Sequence, residues 1–177
     1  LLPPEWVDEF KKLQDMVPPV PFDEVKKVVE TTLKAPISSK FASFESAPVA
    51  SASIAQVHFA ELFDGSKVAV KVKRPGIEKV IESDISVMHT LAGLLEKYIA
   101  ASRRYRPKEV VSEFERVIRN ELNLSTEGVN ITRFYNIFKD DQQVQIPQVF
   151  WDYTTEDVLT MERIYGTPID EVETLKA

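Results

Sequence analysis

Two alternating apolar segments joined by a tight turn constrain the fold of this chain more than any other feature. The first segment reads IAQVHFAELF (residues 54–63), and the second reads KVAVKVK (residues 67–73). Asp64-Gly65 between them is a strong hairpin signal, because glycine readily adopts the positive φ that a tight turn requires. The sequence therefore predicts two antiparallel strands here, with a further strand at residues 41–47 (FASFESA).

The rest of the chain predicts helices gathered around this sheet. Apolar residues recur at helical spacing over residues 3–17, 76–101, 108–122 and 125–139, and another helix follows Asp23 as its N-cap. The apolar stripes of these helices are expected to be core, and a last short helix begins near Pro168. Residues 144–153 and 157–165 are predicted as two closing strands. The pattern is α+β, a small antiparallel sheet of about five strands with several packed helices.

Composition limits the classes of function. The chain has 177 residues, a formal net charge of −6 and a pI near 5.1, which argues against nucleic-acid binding. It contains no cysteine, which excludes disulfides and thiol catalysis and fits a reducing compartment. No apolar run approaches the roughly 18 residues that a membrane span requires. The composition therefore predicts an ordinary globular domain without a nucleic-acid partner.

Lys71 is the first residue that could carry chemistry. Strand alternation places it on the same face as the small Ala69 and opposite to three valines, Val68, Val70 and Val72. A lysine beside a small residue can reach into a cleft and pair with phosphate oxygens, although a solvated lysine on an exposed strand face is the commoner case. The V-A-[IV]-K pattern on a strand that follows a hairpin favours the phosphate role, because protein kinases place a lysine there.

An alanine- and serine-rich turn, VASASIAQV (residues 49–57), precedes the hairpin. It resembles the glycine-rich loop of protein kinases, G-x-G-x-x-G-x-V, in which glycine lets backbone N–H groups close over nucleotide phosphates. When the two are aligned on Val57, Ala50, Ala52 and Ala55 occupy the glycine positions. Alanine is small but disfavours positive φ, so we expect a stiffer loop that holds phosphates differently. A plain Ser/Ala-rich hairpin loop is the alternative.

The segments PVASASIAQVH and DGSKVAVKVKRPG together resemble the UbiB/ADCK family of atypical protein-kinase-like proteins, whose loop is rich in alanine. A third segment, ELNLSTEGVN (residues 121–130), resembles the family's E-x-D-x-x-x-E-x-x-N block. The resemblance implies that Glu127 pairs with Lys71 and that Glu121 is the first acid of the block. Asn123 stands where the family has aspartate, so any metal or lysine contact there lacks its negative charge. Alternatively, Glu121 and Glu127 are solvated helix charges.

The segment DVLTMERIYGTPIDEV resembles the family's fifth strand and hinge. Met161 is expected near the gatekeeper position. Glu162, Arg163 and Ile164 are expected to line the adenine edge through backbone N–H and C=O groups, which tolerate many side chains. A buried edge strand followed by a turn at Gly166 is the alternative.

The resemblance implies a site that binds ATP or ADP with Mg²⁺. It makes residues 41–177 a kinase-like N-lobe with inserted helices at about 76–122, preceded by a helical extension at 1–40. Lys71 and Glu127 are the implied catalytic pair. The implied nucleotide-binding residues are Ala50, Ser51, Ala52, Ser53, Val57, Ala69, Lys71, Met161, Glu162 and Ile164. Glu121 is expected to face the family's Lys-x-Gly-Gln motif.

The same resemblance implies what this chain does not supply. We expect the metal ligands and the catalytic Asp and Asn in a C-lobe beyond residue 177, so the chain alone is expected to be inactive and to bind nucleotide weakly. It implies a role in ubiquinone or related isoprenoid-lipid metabolism, with the C-lobe, quinone-biosynthesis proteins or membrane lipid as partners. The implied location is cytoplasmic, peripheral to the inner membrane in the full-length protein. Two rivals remain: a non-catalytic pseudokinase scaffold, and an unrelated α+β domain in which Lys71 and Glu127 lie far apart.

Overall fold

The computed structural model describes residues 17–167, and within this range an antiparallel sheet of five strands organises the chain. The strands are β1 (Ser43–Phe44), β2 (Ala50–Ser51), β3 (Ala55–Glu61), β4 (Lys67–Lys73) and β5 (Val158–Glu162). Their order is β1-β3-β4-β5, and β2 pairs with the other end of β3. The α+β class and the antiparallel sheet are therefore confirmed. The helices predicted over residues 3–17 and near Pro168 fall largely outside the described residues.

The predicted hairpin forms the centre of the sheet. Strands β3 and β4 pair along their whole length, from Ala55 opposite Lys73 to Glu61 opposite Lys67. Gly65 has a φ of 88°, and the carboxylate of Asp64 accepts a hydrogen bond from the N–H of Ser66 at 2.9 Å. The Asp-Gly signal therefore specifies the turn through both of its residues.

Five helices lie around the sheet within residues 17–167. They are α1 (Phe22–Leu33), α2 (Ile37–Lys40), α3 (Ile77–Tyr98), α4 (Pro107–Glu121) and α5 (Leu124–Phe138), with 3₁₀ turns at Ala100–Tyr105 and Trp151–Tyr153. Helix α1 begins one residue before Asp23, so the prediction of Asp23 as the N-cap is wrong. Pro21 occupies that position with extended backbone, and Asp23 lies in the first turn, where a carboxylate favours the positive end of the helix dipole. None of the helices between residues 17 and 167 is both long and apolar enough to span a membrane.

The main core lies on one face of the sheet. The four valines that point to this face from β4 and β5 are Val68, Val70, Val72 and Val158, and each is fully buried. They pack against Val25 and Val29 of α1, with Phe41 and Leu62 at the edge. The alternation predicted for β4 is therefore observed, and Lys71 lies on the opposite face of the sheet.

A chain of buried polar groups ties the segment before α1 to this core. His58, which is fully buried on β3, lies 2.8 Å from the carbonyl of Glu45 through Nδ1 and 2.9 Å from the Gln56 amide nitrogen through Nε2. The Nδ1–H tautomer satisfies both contacts, because Nδ1 then donates and Nε2 accepts. The Gln56 amide also bonds the backbone N–H of Val20 at 2.8 Å and its carbonyl at 3.3 Å.

Several elements differ from prediction. The strand predicted at residues 41–47 contains only Ser43–Phe44, and residues 144–153 contain one bridge, Val149 to Met161, followed by a 3₁₀ turn. Pro147 lacks an N–H, so this segment cannot form a continuous ladder. The apolar stripe of α3 is not all core, because α3 packs chiefly on α4 and only one side of it is covered. Four of its predicted core residues are exposed: Val80, Leu91, Leu95 and Tyr98. Phe134, in the predicted stripe of α5, is exposed as well.

Burial of His58 predicts a loss of stability in acid. Burial lowers the pKa of this imidazole below 6.5, against a smaller opposing effect of the Glu45 carbonyl. In acid, His58 is therefore protonated in the unfolded chain but stays neutral in the folded chain. The free energy of unfolding falls as the pH drops below about 6.5, by at most about 1.4 kcal/mol per pH unit. Urea unfolding between pH 7.5 and 5 should show a steeper fall for the wild type than for His58→Gln. Equal slopes would contradict this account.

Candidate functional site

The sheet register brings the predicted site residues onto one face. Ala50 pairs with Val57, Val57 with Lys71, and Lys71 with Leu159, so a single row crosses four strands. Ala69 and Met161 are paired in an adjoining row on the same side. Residues directly opposite each other in an antiparallel sheet share a face. Lys71, the start of the alanine-rich loop and the β5 residue Met161 therefore lie side by side.

Lys71 and Glu127 form a two-pronged ion pair. The Lys71 ammonium lies 2.7 Å from Oε2 and 3.0 Å from Oε1 of Glu127, which projects from the first turn of α5. The Lys71 side chain is 24% exposed and the Glu127 side chain 39%, so the pair remains open to solvent. The pairing predicted for these two residues is present, and the rival in which they lie far apart is contradicted. Their part in catalysis stays a prediction.

Gly128 lets α5 come close enough to the sheet for this pair to form. A Cβ atom at Gly128 would lie 3.2 Å from Leu159 and 3.2 Å from Trp151, tighter than ordinary van der Waals contact. Leu159 is also the cross-strand neighbour of Lys71. Gly128 was not among the predicted site residues, although a glycine inside a helical pattern is a known sign of close packing.

The family block ELNLSTEGVN spans the turn from α4 into α5. Asn123 is the N-cap of α5, and its Oδ1 accepts from the N–H of Ser125 at 3.0 Å and from its hydroxyl at 2.5 Å. Asparagine and aspartate cap helices equally well, so the capping role survives the change from the family's aspartate while the charge is lost. Glu121 is the last residue of α4 and is exposed.

The alanine-rich loop is a closed hairpin. The N–H of Ala52 donates to the carbonyl of Ala55 at 2.9 Å, and the N–H of Val49 donates to the carbonyl of Val57 at 2.8 Å. Ala52 and Ser53 are exposed at its tip, and Ser51 is half-buried. No residue of this loop has a positive φ, as expected when alanine replaces glycine.

Arg74, at the end of β4, holds this loop from one side. Its guanidinium donates to the carbonyl of Ala52 at 2.8 Å, to the hydroxyl of Ser51 at 2.7 Å and to the carbonyl of Pro18 at 2.9 Å. Its backbone N–H donates to the carbonyl of Ile54 at 2.9 Å. Arg74 therefore ties the loop both to β4 and to the segment before α1. No sequence pattern singled it out, because all but one of its partners are backbone carbonyls and the Ser51 hydroxyl is 23 positions away.

The hinge residues leave few backbone groups free to hydrogen-bond the adenine base of a nucleotide. Glu162 pairs with Val68, so its side chain points to the face opposite Lys71, and its carboxylate accepts from the N–H of Gln148 at 3.2 Å. The N–H groups of Glu162 and Arg163 already donate to the carbonyls of Gln148 and Lys67. Of the three predicted hinge residues, only Ile164 has an N–H that contacts no acceptor among residues 17–167.

Residues 12–177 match the model of the ABC1 atypical kinase-like domain. The chain belongs to this family. A probable protein kinase UbiB of Marinobacter nauticus is 47% identical over 176 residues, 99% of this chain and 32% of that protein. A probable protein kinase UbiB of Pseudomonas aeruginosa is 46% identical and is covered to 33%. The chain thus spans about a third of the length of these curated relatives.

A solved structure supports the same assignment at the level of the fold. The complex of Rv3197 with erythromycin from Mycobacterium tuberculosis superposes with a TM-score of 0.77 at 29% sequence identity. The match covers 99% of this chain and 44% of that one. The fold of this ABC1 domain is therefore shared with that solved structure.

Two helix glycines give a matched test of the close contact between α5 and β5. Alanine at an interior helix position gains roughly 0.5–1 kcal/mol over glycine. A Cβ atom at Gly93 in α3 would meet only the flexible side chain of Lys108, at 3.7 Å. Gly93→Ala should therefore raise the free energy of unfolding by roughly 0.5–1 kcal/mol. Gly128→Ala should lower it, because Leu159 and Trp151 must move. Equal stabilisation in urea unfolding would contradict the close packing.

Loss of the Arg74 side chain should loosen the alanine-rich loop. Arg74→Ala removes three charge-assisted hydrogen bonds, so we expect the amides of residues 50–55 to exchange hydrogen about tenfold faster, while those of β4 keep their rates. Arg116→Ala is the control, since Arg116 is an exposed arginine paired with Glu113 on α4. Loop exchange that is equal in the two variants would show that Arg74 does not hold the loop.

Proposed function

We propose that this chain is the nucleotide-binding N-lobe of a UbiB-type atypical kinase or ATPase. The observation that carries the proposal is the two-pronged Lys71–Glu127 pair on the same sheet face as the alanine-rich loop. Kinase-like sites use such a lysine to contact nucleotide phosphates and such a glutamate to orient it. Membership of the ABC1 family supports the same chemistry.

Lys71 retains the capacity to bind a phosphate. A lysine ammonium has three N–H donors, and two of them point to the Glu127 oxygens, which leaves the third for a phosphate oxygen. The partial exposure of Lys71 leaves its ammonium accessible. In this proposal Ala50, Ser51, Ala52 and Ser53 cover the phosphates. The N–H of Ala52 already donates within the loop, so the other backbone N–H groups of the loop would supply the neutral donors.

The adenine base of the nucleotide would lie on the apolar residues beside Lys71. Val57, Ala69 and Met161 share the Lys71 face, and the small side chain of Ala69 leaves room for a planar ring above the sheet. The N–H of Ile164 and the carbonyl of Glu162 are the backbone groups we assign to the adenine edge. The side chain of Glu162 takes no part in this assignment, because it points to the other face.

We assign the metal ligands and the catalytic base to the part of the relatives that this chain does not span. No group of three or more carboxylate or histidine side chains suited to a metal occurs among the described residues. ATP with Mg²⁺ would supply the transferable phosphoryl group, and Lys71 would hold it in place. Because phosphoryl transfer depends on positioning and on charge stabilisation, we expect this chain alone to bind nucleotide weakly without turnover.

The name UbiB of the curated relatives supports a wider role. We infer that the full-length protein acts in ubiquinone or related isoprenoid-lipid metabolism, with quinone-biosynthesis proteins or membrane lipid as partners. A location on the cytoplasmic side, peripheral to the inner membrane, belongs to the same proposal.

An NMR titration of this chain with Mg-ATP and Mg-ADP tests the site. We expect shifts at the alanine-rich loop and β4 with a Kd near the millimolar range, about −4 kcal/mol. Lys71→Met should weaken binding by about tenfold, through loss of one charged contact. Lys67→Met is the matched control, because Lys67 lies on the same strand but is exposed and paired with Glu61. Equal weakening by both variants, or no shift on this face, would contradict the proposal.

ATP hydrolysis by the full-length protein distinguishes an active kinase or ATPase from a pseudokinase scaffold. In the full-length protein, Lys71→Met should abolish ATP hydrolysis, whereas a pseudokinase scaffold would keep its cellular function with this substitution. Tight binding and hydrolysis of Mg-ATP by the present chain would show that it needs no further lobe.

A further inference from the structure

Lys73 is a buried charge that the proposed nucleotide site does not use. It lies two residues after Lys71 on the same face of β4, and only 7% of its surface is exposed. Its ammonium lies 2.7 Å from Glu78, 2.5 Å from Asp157 and 3.1 Å from the carbonyl of Leu122. These contacts use all three of its N–H donors. Burial by itself would lower the pKa of Lys73, but the bonds to Asp157 and Glu78 outweigh it and raise that pKa above 10.5.

The partners of Lys73 come from both ends of one insertion. Glu78 lies in the first turn of α3, and Leu122 directly follows α4, so together they mark the base of the α3–α4 hairpin (residues 77–121). Asp157 directly precedes β5 and also lies 3.4 Å from the hydroxyl of Thr32 on α1. One ammonium therefore joins the start and the end of the hairpin to the sheet.

Charged contacts hold the base of the hairpin together with the packing of the buried Leu122. Lys73 forms a wall shared by two open depressions of about 320 and 300 Å³, of which the second is mainly polar. Lys27 and Thr32 line the first of them, and Arg119 and Glu156 line the second. The apolar contacts of α3 are made chiefly with α4 rather than with the sheet. The ion pairs of Lys73 are thus a principal constraint on where the hairpin meets β4.

The end of the hairpin is also the start of α5. Leu122 is followed by the cap residue Asn123, and the N–H of Leu124 donates to the carbonyl of Glu156 at 3.0 Å. Glu127 lies five residues after Leu122, within the first turns of α5, where each residue advances the helix by about 1.5 Å. A displacement at Leu122 is therefore passed directly to Glu127.

We propose that Lys73 is a positioning residue: by closing the base of the α3–α4 hairpin it sets the approach of α5 and so holds Glu127 against Lys71. The position of the hairpin and the state of the Lys71–Glu127 pair are then coupled. The importance of this coupling for nucleotide binding rests on the proposed function, but the coupling itself does not.

The test is a double-mutant cycle on Lys71→Met and Glu127→Gln, measured by urea unfolding in three backgrounds. The cycle gives a coupling factor, which is the factor by which the Lys71–Glu127 interaction changes the unfolding equilibrium constant. For a partly exposed pair we expect a factor of about three in the wild-type background. We expect this factor to persist in Lys67→Met, which breaks the pair with Glu61 at the other end of β4. In Lys73→Met it should fall towards one, since the start of α5 then loses the Lys73 bond to Leu122 and keeps only the Leu124–Glu156 bond and its packing on Leu159.

A purely structural Lys73 gives a different result. Lys73→Met would then lower stability and leave the coupling factor unchanged, and that outcome would overturn the proposal. Should Lys73→Met fail to fold, Glu78→Gln takes its place, because Glu78 is 59% exposed and Lys73 keeps Asp157. We expect an intermediate factor for Glu78→Gln, and an unchanged one would overturn the proposal as well.

Nucleotide titration of the same variants separates the two proposals. A wild type that shows the coupling but binds no nucleotide contradicts the proposed function and leaves the role of Lys73 intact. Nucleotide binding that Lys73→Met leaves unchanged, together with an unchanged coupling factor, contradicts only the role of Lys73.

Discussion

The register of the β3–β4 hairpin is the constraint on which the rest of the structure depends. The ladder from Ala55 opposite Lys73 to Glu61 opposite Lys67 decides which side chains of β4 face α1 and which face α5. A slip of one residue would exchange the two faces, moving the valines into the site and Lys71 into the core. Because burying an unpaired ammonium and exposing three valines are both costly, this register is strongly specified.

The three basic residues at the end of β4 show how one strand serves three purposes. Lys71 meets Glu127 in a partly open position, Lys73 is enclosed by acids and a carbonyl, and Arg74 reaches the loop and the segment before α1. The difference between the two lysines comes from their surroundings rather than from their chemistry. A half-exposed ammonium with a free donor can take a ligand, whereas an ammonium whose donors are all used inside the protein can only hold elements together.

Local patterns predicted the parts of the fold that depend on neighbours in the sequence. The Asp64-Gly65 turn, the alternation of β4 and the long helices follow from periods of two and 3.6 residues, which need no tertiary information. The same patterns failed for residues 144–153 and for the stripe of α3. Whether an apolar residue is core depends on what packs against it, and α3 is covered by α4 on one side only. The pairing of Lys71 with Glu127 came from resemblance to a family, since the two residues are 56 positions apart.

By itself, the sequence determined the hairpin, the face of Lys71 and the small size of the loop residues, because each depends on contacts within a few positions. Only the tertiary structure decided that Gly128 admits α5 to Leu159, that Arg74 holds the loop and that Lys73 closes the α3–α4 hairpin. Apart from the pair of Lys73 with Glu78, these contacts join residues 22 to 84 positions apart, and several are made to backbone atoms. No side-chain pattern encodes a backbone carbonyl as a partner, so folding must bring the two together before the contact exists.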